Sequence, residues 1–356
     1  MKDIKVDKKK IGLNHPTYFI ADIAANHNGD LNKAIDLIYL SAEAGADAVK
    51  FQHFQAENIV SDYGFKNLDT KSSHQSNWKK SVFETYKQAS LPREWTEELQ
   101  NSSNKAGVHF FSAPYDFEAV DLLDNLNVPA HKVGSGDITW IEIIQRMCKS
   151  KVPIFLATGA SNINDVKRAM NIIQSEEVPV CLMQCNTNYT GKNENFEHIN
   201  LNVLKQYSQI WPEAVLGLSD HTSGHATVLG AVALGARAIE KHFTDDKSQE
   251  GPDHGFSMDP TDWKEMVYRT RELELALGEE EKNICENEIE TVVLQRRCWR
   301  LKNNLSIGTE IKENHLEVLR PSPLDSIQPY EIKDILGKKI NKNMVKGQHI
   351  SIKDFE

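Results

Sequence analysis

The sequence lacks long apolar runs, and its cysteines are few and scattered. No stretch approaches the roughly 20 apolar residues that span a bilayer, and the lysine-rich start has no apolar segment typical of a signal peptide. The five cysteines form no CxxC pair, and their odd number and irregular spacing are typical of reduced thiols. These features predict a cytoplasmic protein without a membrane segment.

An excess of positive charge is also missing. The 356 residues carry a formal net charge of -10, which argues against a general surface for nucleic acid or anionic membranes, although a local basic pocket stays compatible. The sequence contains no P-loop and no GxSxG motif, so nothing supports a nucleotidyl or hydrolase function. No GxGxxG follows the first predicted strand, which disfavours a doubly wound open sheet.

Short apolar runs rich in β-forming residues alternate with amphipathic stretches. In residues 30–45, for example, Ala34, Leu37 and Ile38 fall on one helical face, with Asp30 as a cap. The predicted strands are residues 18–24, 48–54, 109–115, 130–135, 153–158, 180–186, 215–220 and 236–242. This alternation predicts a (β/α)8 TIM barrel, with the open sheet as the competing architecture.

The segments around the predicted barrel differ from it in composition. Residues 1–15 suggest a small hairpin, and the long polar stretch 55–92 is interpreted as a loop insertion. After about residue 280 the chain is first highly charged and then rich in short β-like pieces. We therefore predict a barrel domain with its hairpin over 1–279, a partly helical linker over 280–294 and a small β-rich domain over 295–356.

Polar side chains follow most of the predicted strands. In a (β/α)8 barrel the reactive groups lie at the C-terminal ends of the strands, and six of the eight ends are polar, including all of Glu240, Lys241 and His242. The other polar residues at these ends are Asp22, Asn26, His27, Lys50, Gln52, His53, Lys132, Ser135, Asp137, Gln184, Thr187, Tyr189, Ser219, Asp220 and His221. A structural barrel does not need so many, so we predict a functional cavity there.

Two pairs of residues suggest the chemistry of this cavity. Lys50 and Lys132, in otherwise apolar strands, suit a phosphorylated anion, although a single lysine is more often a surface residue. His221 and His242 end neighbouring strands, which lie about 4.8 Å apart. With Asp22 one strand further round, they predict a site of two histidines and one carboxylate for Mn, Fe, Co or Zn.

Several long motifs in the same order carry a family resemblance. They are FIADIAANHNGDL, AGADAVKFQ, FFSAPYD, KVGSGD, ATGAS, GLSDHTSG, ALGARAIEKHFT, EGPDHGFSMDP and the C-terminal LRPSPLDSI with LGKKINKNMVKGQHI. From about residue 17 onward the chain resembles the sialic acid synthase family, and its tail resembles the antifreeze-like SAF domain of these enzymes. The resemblance implies condensation of phosphoenolpyruvate with an N-acetylated amino sugar and water, with release of phosphate.

The resemblance also assigns residues. It implies a divalent metal held by His221 and His242, with Mn2+ favoured and Mg2+ or Co2+ as alternatives, and a domain-swapped homodimer that places Arg320 at the partner's barrel. The expected catalytic residues are Asp22, Lys50, Lys132, His221 and His242. The expected substrate-binding residues are Gln52, Ser135, Asp137, Thr187, Tyr189, Ser219, Asp253 and Arg320. No nucleic acid or membrane partner is expected.

The sequence departs from the family pattern at several positions, including the strand-6 stretch QCNTNYTG. Asp22 and Asp137 stand where glutamate is common, Ala113 replaces a threonine hydroxyl, and Thr190 replaces a proline. These departures predict an altered sugar pocket and leave N-acetylmannosamine and the 2,4-diacetamido-trideoxyhexoses as open alternatives.

Two other functions are compatible with the same barrel. One is a different metal-dependent keto-acid synthase or aldolase. The other is a carbohydrate-binding protein with a decayed site, which would bind sugar without releasing phosphate. The intact histidine and lysine pairs argue against decay.

Overall fold

A computed structural model describes residues 1–68, 78 and 80–356 of the chain. The chain divides into two compact units, Met1–Gly278 and Glu279–Glu356, and each is described by itself. Among the described residues, no helix combines the length and the apolar character that a membrane crossing requires.

The first unit is a closed barrel of eight parallel strands, which confirms the predicted TIM barrel. Its strands are β3 (Tyr18–Asp22), β4 (Ala48–His53), β5 (His109–Pro114), β6 (His131–Val133), β7 (Ile154–Ala157), β8 (Val180–Cys185), β9 (Val215–Asp220) and β10 (Ala236–His242). The barrel closes where β10 pairs with β3, with His242 opposite Asp22. Before the barrel, β1 (Ile4–Val6) and β2 (Lys9–Ile11) form the predicted antiparallel hairpin.

Helices connect consecutive strands and cover the barrel. They are α1 (Leu31–Glu43), α5 (Thr96–Ala106), α6 (Phe117–Asn125), α7 (Ile141–Cys148), α8 (Ile163–Ser175), α9 (Val203–Ile210), α10 (Ala226–Ala233) and α11 (Pro260–Leu277). Helix α1 begins as predicted, because the Asp30 side chain accepts hydrogen bonds from the backbone N–H groups of Asn32 and Lys33. Its residues Leu37 and Ile38 are buried, so the apolar face predicted from the sequence is the one that packs on the barrel.

Aromatic rings fill much of the barrel interior. Phe155 stacks on Phe111 with ring centroids 5.3 Å apart and on Tyr18 with centroids 6.3 Å apart. All three side chains are fully buried. Such rings give a packed core rather than a pore. The polar residues at the strand ends therefore lie above a layer of packed side chains that closes the barrel.

The insertion after β4 is more ordered than predicted. It contains α2 (Ala56–Ile59), α3 (Asp62–Lys66) and α4 (Val82–Ala89), so its interpretation as a loop is wrong for these residues. Its residues 69–77 and 79 lie outside the described part of the chain. Helix α4 begins with a capping box, in which Ser81 and Glu84 satisfy each other's backbone N–H groups. The polar composition had hidden these start signals.

The second unit has a small core of its own. Strands β11 (Cys298–Leu301) and β12 (Leu316–Leu319) pair antiparallel, and α12 (Ile289–Gln295) precedes them within the segment predicted as a linker. The buried core residues are Leu301, Ile311, Leu316, Ile327, Ile335, Ile340, Met344, Ile350 and Phe355. An independent core of this kind is typical of a separate domain.

The close packing of β9 gives a stability prediction. A Cβ added at Gly217 would lie 2.9 Å from the backbone oxygen of Ala238 and 2.9 Å from Cγ of Met183. Because backbone cannot move aside cheaply, we expect Gly217→Ala to lower the free energy of unfolding by about 1–3 kcal/mol in denaturant titrations. The control is Gly255→Ala, where the new Cβ meets no atom within 4 Å. Equal stability of the two variants would contradict the prediction.

Candidate active site

The alternation of side chains along each strand sorts the polar residues into two sets. On β10, Glu240 and His242 line the barrel cavity, whereas Lys241 points away from it and contacts Asp220. The expectation that all three residues face the cavity is therefore wrong for Lys241. His53 is likewise turned away, with its ring nitrogens 2.7 Å from Ser112 Oγ and 2.8 Å from Thr96 Oγ1.

The residues that point inward surround a cavity of about 390 Å³. The predicted site residues that line it are Asp22, Lys50, Gln52, Lys132, Ser135, Asp137, Tyr189, Ser219, His221, His242 and Asp253. Thr187 is not among the lining residues and lies beside Gly159. Arg320 belongs to the second unit and is exposed. The parts that these residues play in binding and catalysis stay predictions.

Four buried ionised side chains form a network at the base of the cavity. Lys50 Nζ lies 2.7 Å from Asp22 Oδ2, and Lys132 Nζ lies 2.9 Å from Glu240 Oε1. Glu240 Oε1 also lies 3.9 Å from Lys50 Nζ, so one carboxylate lies close to both lysines. Two cations and two carboxylates give a set with no net charge, and an anionic ligand must therefore replace the carboxylates as partners of the lysines.

The pKa values agree with this pairing. Burial alone would raise the pKa of Asp22, but the charge of Lys50, followed by that of His242, lowers it to about 2. Burial would lower the pKa of Lys50, but Asp22 and Glu240 outweigh burial and raise it. Both groups are therefore charged near pH 7.

Glu240 was noted at the end of its strand but was not assigned to the site from the sequence. Its Oε1 accepts a hydrogen bond from Ser219 Oγ at 3.0 Å, whereas its buried Oε2 has no partner among the described residues. The available signal was its spacing, because a residue two positions before His242 lies on the same face of the strand.

The two predicted metal ligands lie together in the cavity, with ring centroids 5.3 Å apart. His221 Nδ1 lies 2.7 Å from the carbonyl oxygen of Asn186, so this nitrogen donates and leaves Nε2 unprotonated in the neutral ring. Burial lowers the pKa of His242 to about 3, despite the opposing charge of Asp22. Its Nδ1 is buried without a hydrogen-bond partner among the described residues. A neutral ring with a free nitrogen is the form that binds metal, and burial favours this form at His242. At His221, burial would also lower the pKa, but the interaction with Cys185 outweighs burial and raises it.

The predicted third ligand is not available in this arrangement. Asp22 Oδ2 is already bonded to Lys50 and accepts a hydrogen bond from Gln52 at 3.1 Å. Within residues 1–68, 78 and 80–356, no group of three His, Cys, Asp or Glu side chains is arranged to hold a metal ion. The two imidazoles still fit a divalent ion whose other ligands come from water or substrate.

Two further carboxyl groups face the cavity. Burial raises the pKa of Asp137 to about 6 and that of Asp253 to about 6. The backbone N–H of Ala25 donates to Asp253 Oδ2 at 3.2 Å, and Tyr189 packs edge-on against His221 with centroids 4.3 Å apart. The carboxyl groups of Asp137 and Asp253 therefore titrate near neutral pH, whereas that of Asp22 does not.

Some cavity residues were missed by sequence analysis. Cys185, predicted only as a reduced thiol, lines the cavity; burial would raise the pKa of its thiol, but the interaction with His221 lowers it. Tyr86 and Tyr115 also line it. Tyr86 lies on α4, and no sequence signal joined that distant helix to the strand ends. Tyr115 directly follows β5 and could have been found from its position alone.

A buried network on the outer face of β9 and β10 supports the histidines. Asp220 and Lys241 are opposite each other in the strand pairing, and Lys241 Nζ lies 2.5 Å from Asp220 Oδ2. Lys241 also donates to the carbonyl oxygen of Thr222 at 2.6 Å, and Thr227 Oγ1 donates to Asp220 at 2.7 Å. Each member of the ion pair directly precedes one histidine of the cavity, so the pair fixes the register that brings the two imidazoles together.

The closed barrel, with paired lysines and paired histidines at one mouth, has the architecture of an enzyme rather than of a purely structural domain. Residues 37–282 match the NeuB family, and residues 296–356 match the SAF domain. The chain belongs to the NeuB family.

Named relatives agree with this assignment. The chain is 34% identical to N,N'-diacetyllegionaminic acid synthase of Legionella pneumophila, covering 95% of this chain and 94% of the relative. It is 32% identical to pseudaminic acid synthase of Helicobacter pylori, covering 96% and 98%. The solved N-acetylneuraminic acid synthetase of Leptospira borgpetersenii, in complex with citrate, superimposes with a TM-score of 0.72 at 28% identity, covering 82% of this chain and 95% of that one.

These comparisons confirm the family and the enzyme class predicted from the sequence. The relatives are named synthases of nonulosonic acids, and this chain is an enzyme of that type. Synthases of this family are generally metal-dependent.

The ion pair behind the histidines gives a second stability prediction. Lys241→Met leaves the Asp220 carboxylate buried without its cation, so we expect a loss of about 3–5 kcal/mol in the free energy of unfolding. Adding Asp220→Asn removes the unpaired carboxylate charge, so the double variant should recover part of the lost free energy of unfolding. Lys205→Met, at an exposed position, is the matched control. A Lys241→Met variant as stable as the control would refute the prediction.

Proposed function

We propose that this enzyme condenses phosphoenolpyruvate with an open-chain N-acetylated amino sugar and water, giving a nonulosonic acid and phosphate. The observation that carries the proposal is the cavity itself, which brings Lys50 and Lys132 to the same barrel mouth as His221 and His242. The named relatives make acids of this class, which supports the proposal.

The lysines bind phosphoenolpyruvate in this proposal. Lys50 and Lys132 exchange Asp22 and Glu240 for the carboxylate and phosphate of the substrate, and the hydroxyl groups of Ser135 and Ser219 donate hydrogen bonds to it. Because the cavity is closed below by packed side chains, the bound substrate has one orientation. Orientation of this kind supplies much of the rate enhancement when two substrates must meet.

Carbon–carbon bond formation follows from that orientation. C3 of phosphoenolpyruvate attacks the sugar aldehyde carbon, water adds at C2, and phosphate leaves with cleavage of its C–O bond. A divalent ion held by His221 and His242, which we propose to be Mn2+ with Mg2+ or Co2+ as alternatives, would polarise the aldehyde oxygen as a Lewis acid.

The carboxyl groups of the cavity have two remaining roles in this proposal, the orientation of water and the exchange of protons. Asp22, with a pKa of about 2, is a weak base and is suited to orient the water as a hydrogen-bond acceptor. Asp137 and Asp253, with pKa values of about 6, are suited to exchange protons near neutral pH. We propose that Gln52 and Tyr189 bind the sugar with them, and that Thr187 acts from beside the cavity.

We further propose a homodimer in which Arg320 acts at the partner's barrel. Within its own unit the Arg320 side chain is exposed and forms no hydrogen bond or ion pair with a described residue. Asp325, a candidate local partner, instead lies 3.2 Å from His349 Nε2. Leu324, close to Arg320 in the chain, is 89% exposed, which suits a surface that meets another subunit.

The function is tested by supplying phosphoenolpyruvate with each candidate sugar and measuring phosphate release and product mass. We expect both a phosphate signal and a nonulosonic acid with one sugar, and the loss of both in His242→Ala or after removal of metal, because the aldehyde is no longer polarised. Leu275→Ala, at a position 86% exposed, is the control. Sugar binding without phosphate release would instead identify a decayed binding protein.

Arg320 is tested with mixed dimers of Arg320→Ala and His242→Ala subunits. If the arginine acts in trans, one of the two sites in a mixed dimer is intact, so about half of the wild-type activity should return. If it acts in cis, each site lacks one group and no activity returns, which would reject the swapped arrangement. Unmixed samples of each variant give the baseline.

A further inference from the structure

The cavity has two chemically different sides. One side carries the lysines, histidines and carboxylates described above. The other includes Trp78, Thr85 and five residues that together form what we call the aromatic wall, namely Phe54, Ile59, Tyr86, Ala89 and Tyr115. Phe54 and Tyr115 follow the ends of β4 and β5, whereas the other three lie on α2 and α4 of the insertion. The wall therefore stands beyond the strand-borne lysines, on the outer side of the site.

The rings of the aromatic wall are packed against one another rather than loosely arranged. Phe54 lies between the two tyrosines, with its centroid 5.2 Å from that of Tyr86 and 6.0 Å from that of Tyr115. The backbone N–H of Tyr115 donates to the carbonyl oxygen of His53 at 3.0 Å. A preformed surface of this kind loses little conformational entropy when a ligand binds to it.

The aromatic wall offers few polar partners to a ligand. Phe54, Ile59 and Ala89 have no hydrogen-bonding side chain, and the Tyr115 hydroxyl is turned towards Gly134, since a Cβ added there would lie 3.0 Å from it. Ala113, which also lines the cavity, stands opposite Gln52 in the β4–β5 pairing and has no hydrogen-bonding side chain.

The electrostatics of the aromatic wall disfavour an anion. Among the described residues that line the cavity, the lysines and arginines are only Lys50 and Lys132, and both are paired at the base. The pKa of Tyr86 is raised first by burial and then by the charges of Asp253 and Asp137, so acidic groups act on this side of the cavity. Among the described lining residues of this chain's own barrel, a phosphate group here would meet carboxylates and rings without a compensating cation.

We propose that the aromatic wall binds the end of the sugar remote from the aldehyde and selects a neutral end that carries methyl groups. This inference rests on the proposed function and deepens it. It favours a 2,4-diacetamido-2,4,6-trideoxyhexose, whose far end presents a C-methyl and an acetamido methyl. N-acetylmannosamine presents hydroxyl groups there, for which the wall offers only its two tyrosine hydroxyls, and a 6-phosphorylated sugar presents charge.

The first test compares kcat/KM for the three sugars with saturating phosphoenolpyruvate, using the full-length protein. We expect the trideoxy sugar to exceed N-acetylmannosamine by on the order of tenfold or more, because pocket contacts with a single methylene reach that size. The 6-phosphate should be the poorest substrate of the three. Equal kcat/KM values for the two neutral sugars, with phosphate released from both, would overturn this inference and leave the proposed function intact.

The second test changes the aromatic wall itself. Ile59→Thr replaces apolar surface of the wall with a smaller side chain that carries a hydroxyl, so the preference for the trideoxy sugar should narrow several-fold while the KM for phosphoenolpyruvate stays unchanged. Ile210→Thr, on the outer helix α9, is the matched control and should keep the full preference. An unchanged preference in Ile59→Thr would count against the wall as the selecting surface.

Phosphate release and sugar binding together distinguish an error in the proposed reaction from an error in the proposed sugar preference. If none of the three sugars releases phosphate, the proposed function is wrong. Calorimetric binding of the same sugars to wild-type protein then decides the inference alone. Tighter binding of the trideoxy sugar would keep the wall as its subsite, and equal binding of the two neutral sugars would overturn it.

Discussion

The site depends on one geometric constraint, the alternation of side chains along β10 where this strand closes the barrel. Successive residues must point to opposite faces, so Glu240 and His242 enter the cavity and Lys241 cannot. The outward lysine meets Asp220 on the neighbouring strand, and this buried pair fixes the register of both strands. The positions of the two histidines therefore follow from a contact that lies outside the cavity.

The inward face obeys a different constraint, the cost of burying charge. Each lysine at the base is held beside a carboxylate, because an unpaired ion in this environment would be strongly destabilising. The positive charges of the two lysines and the negative charges of the two carboxylates therefore cancel in the site without substrate. The pairing with Lys50 also explains why Asp22 stays ionised although it is buried.

The sequence predicted the barrel well because its signals are local and repeated. All eight strands lie where apolar runs placed them, and Asp30 caps α1 as predicted. The polar strand ends also predicted most of the cavity lining. What could not be read from the sequence depends on spatial pairing. Tyr86 reaches the cavity from α4, far from Phe54 and Tyr115 in the chain.

The alternation of side chains along a strand can be read from the sequence, but it was not used to sort the residues at the end of β10. Grouping Glu240, Lys241 and His242 together ignored the two-residue period, and the same period would have assigned Glu240 to the site. The expected Asp22 ligand illustrates a different limit. Asp22 lies at the predicted position, but its Oδ2 accepts hydrogen bonds from Lys50 and Gln52, which occupy it as a possible metal ligand. These hydrogen bonds form only in the folded site and could not be predicted from the sequence.

The Asp220–Lys241 pair has a consequence for how this enzyme can change over evolutionary time. Both side chains are almost fully buried, at 0% and 1% exposure, so a single substitution at either position leaves an ion without its counterpart. Neither residue reaches the cavity, and selection for substrate preference does not act on them directly. We expect the two positions to covary among relatives, either retained as an ion pair or replaced together by residues that carry no charge.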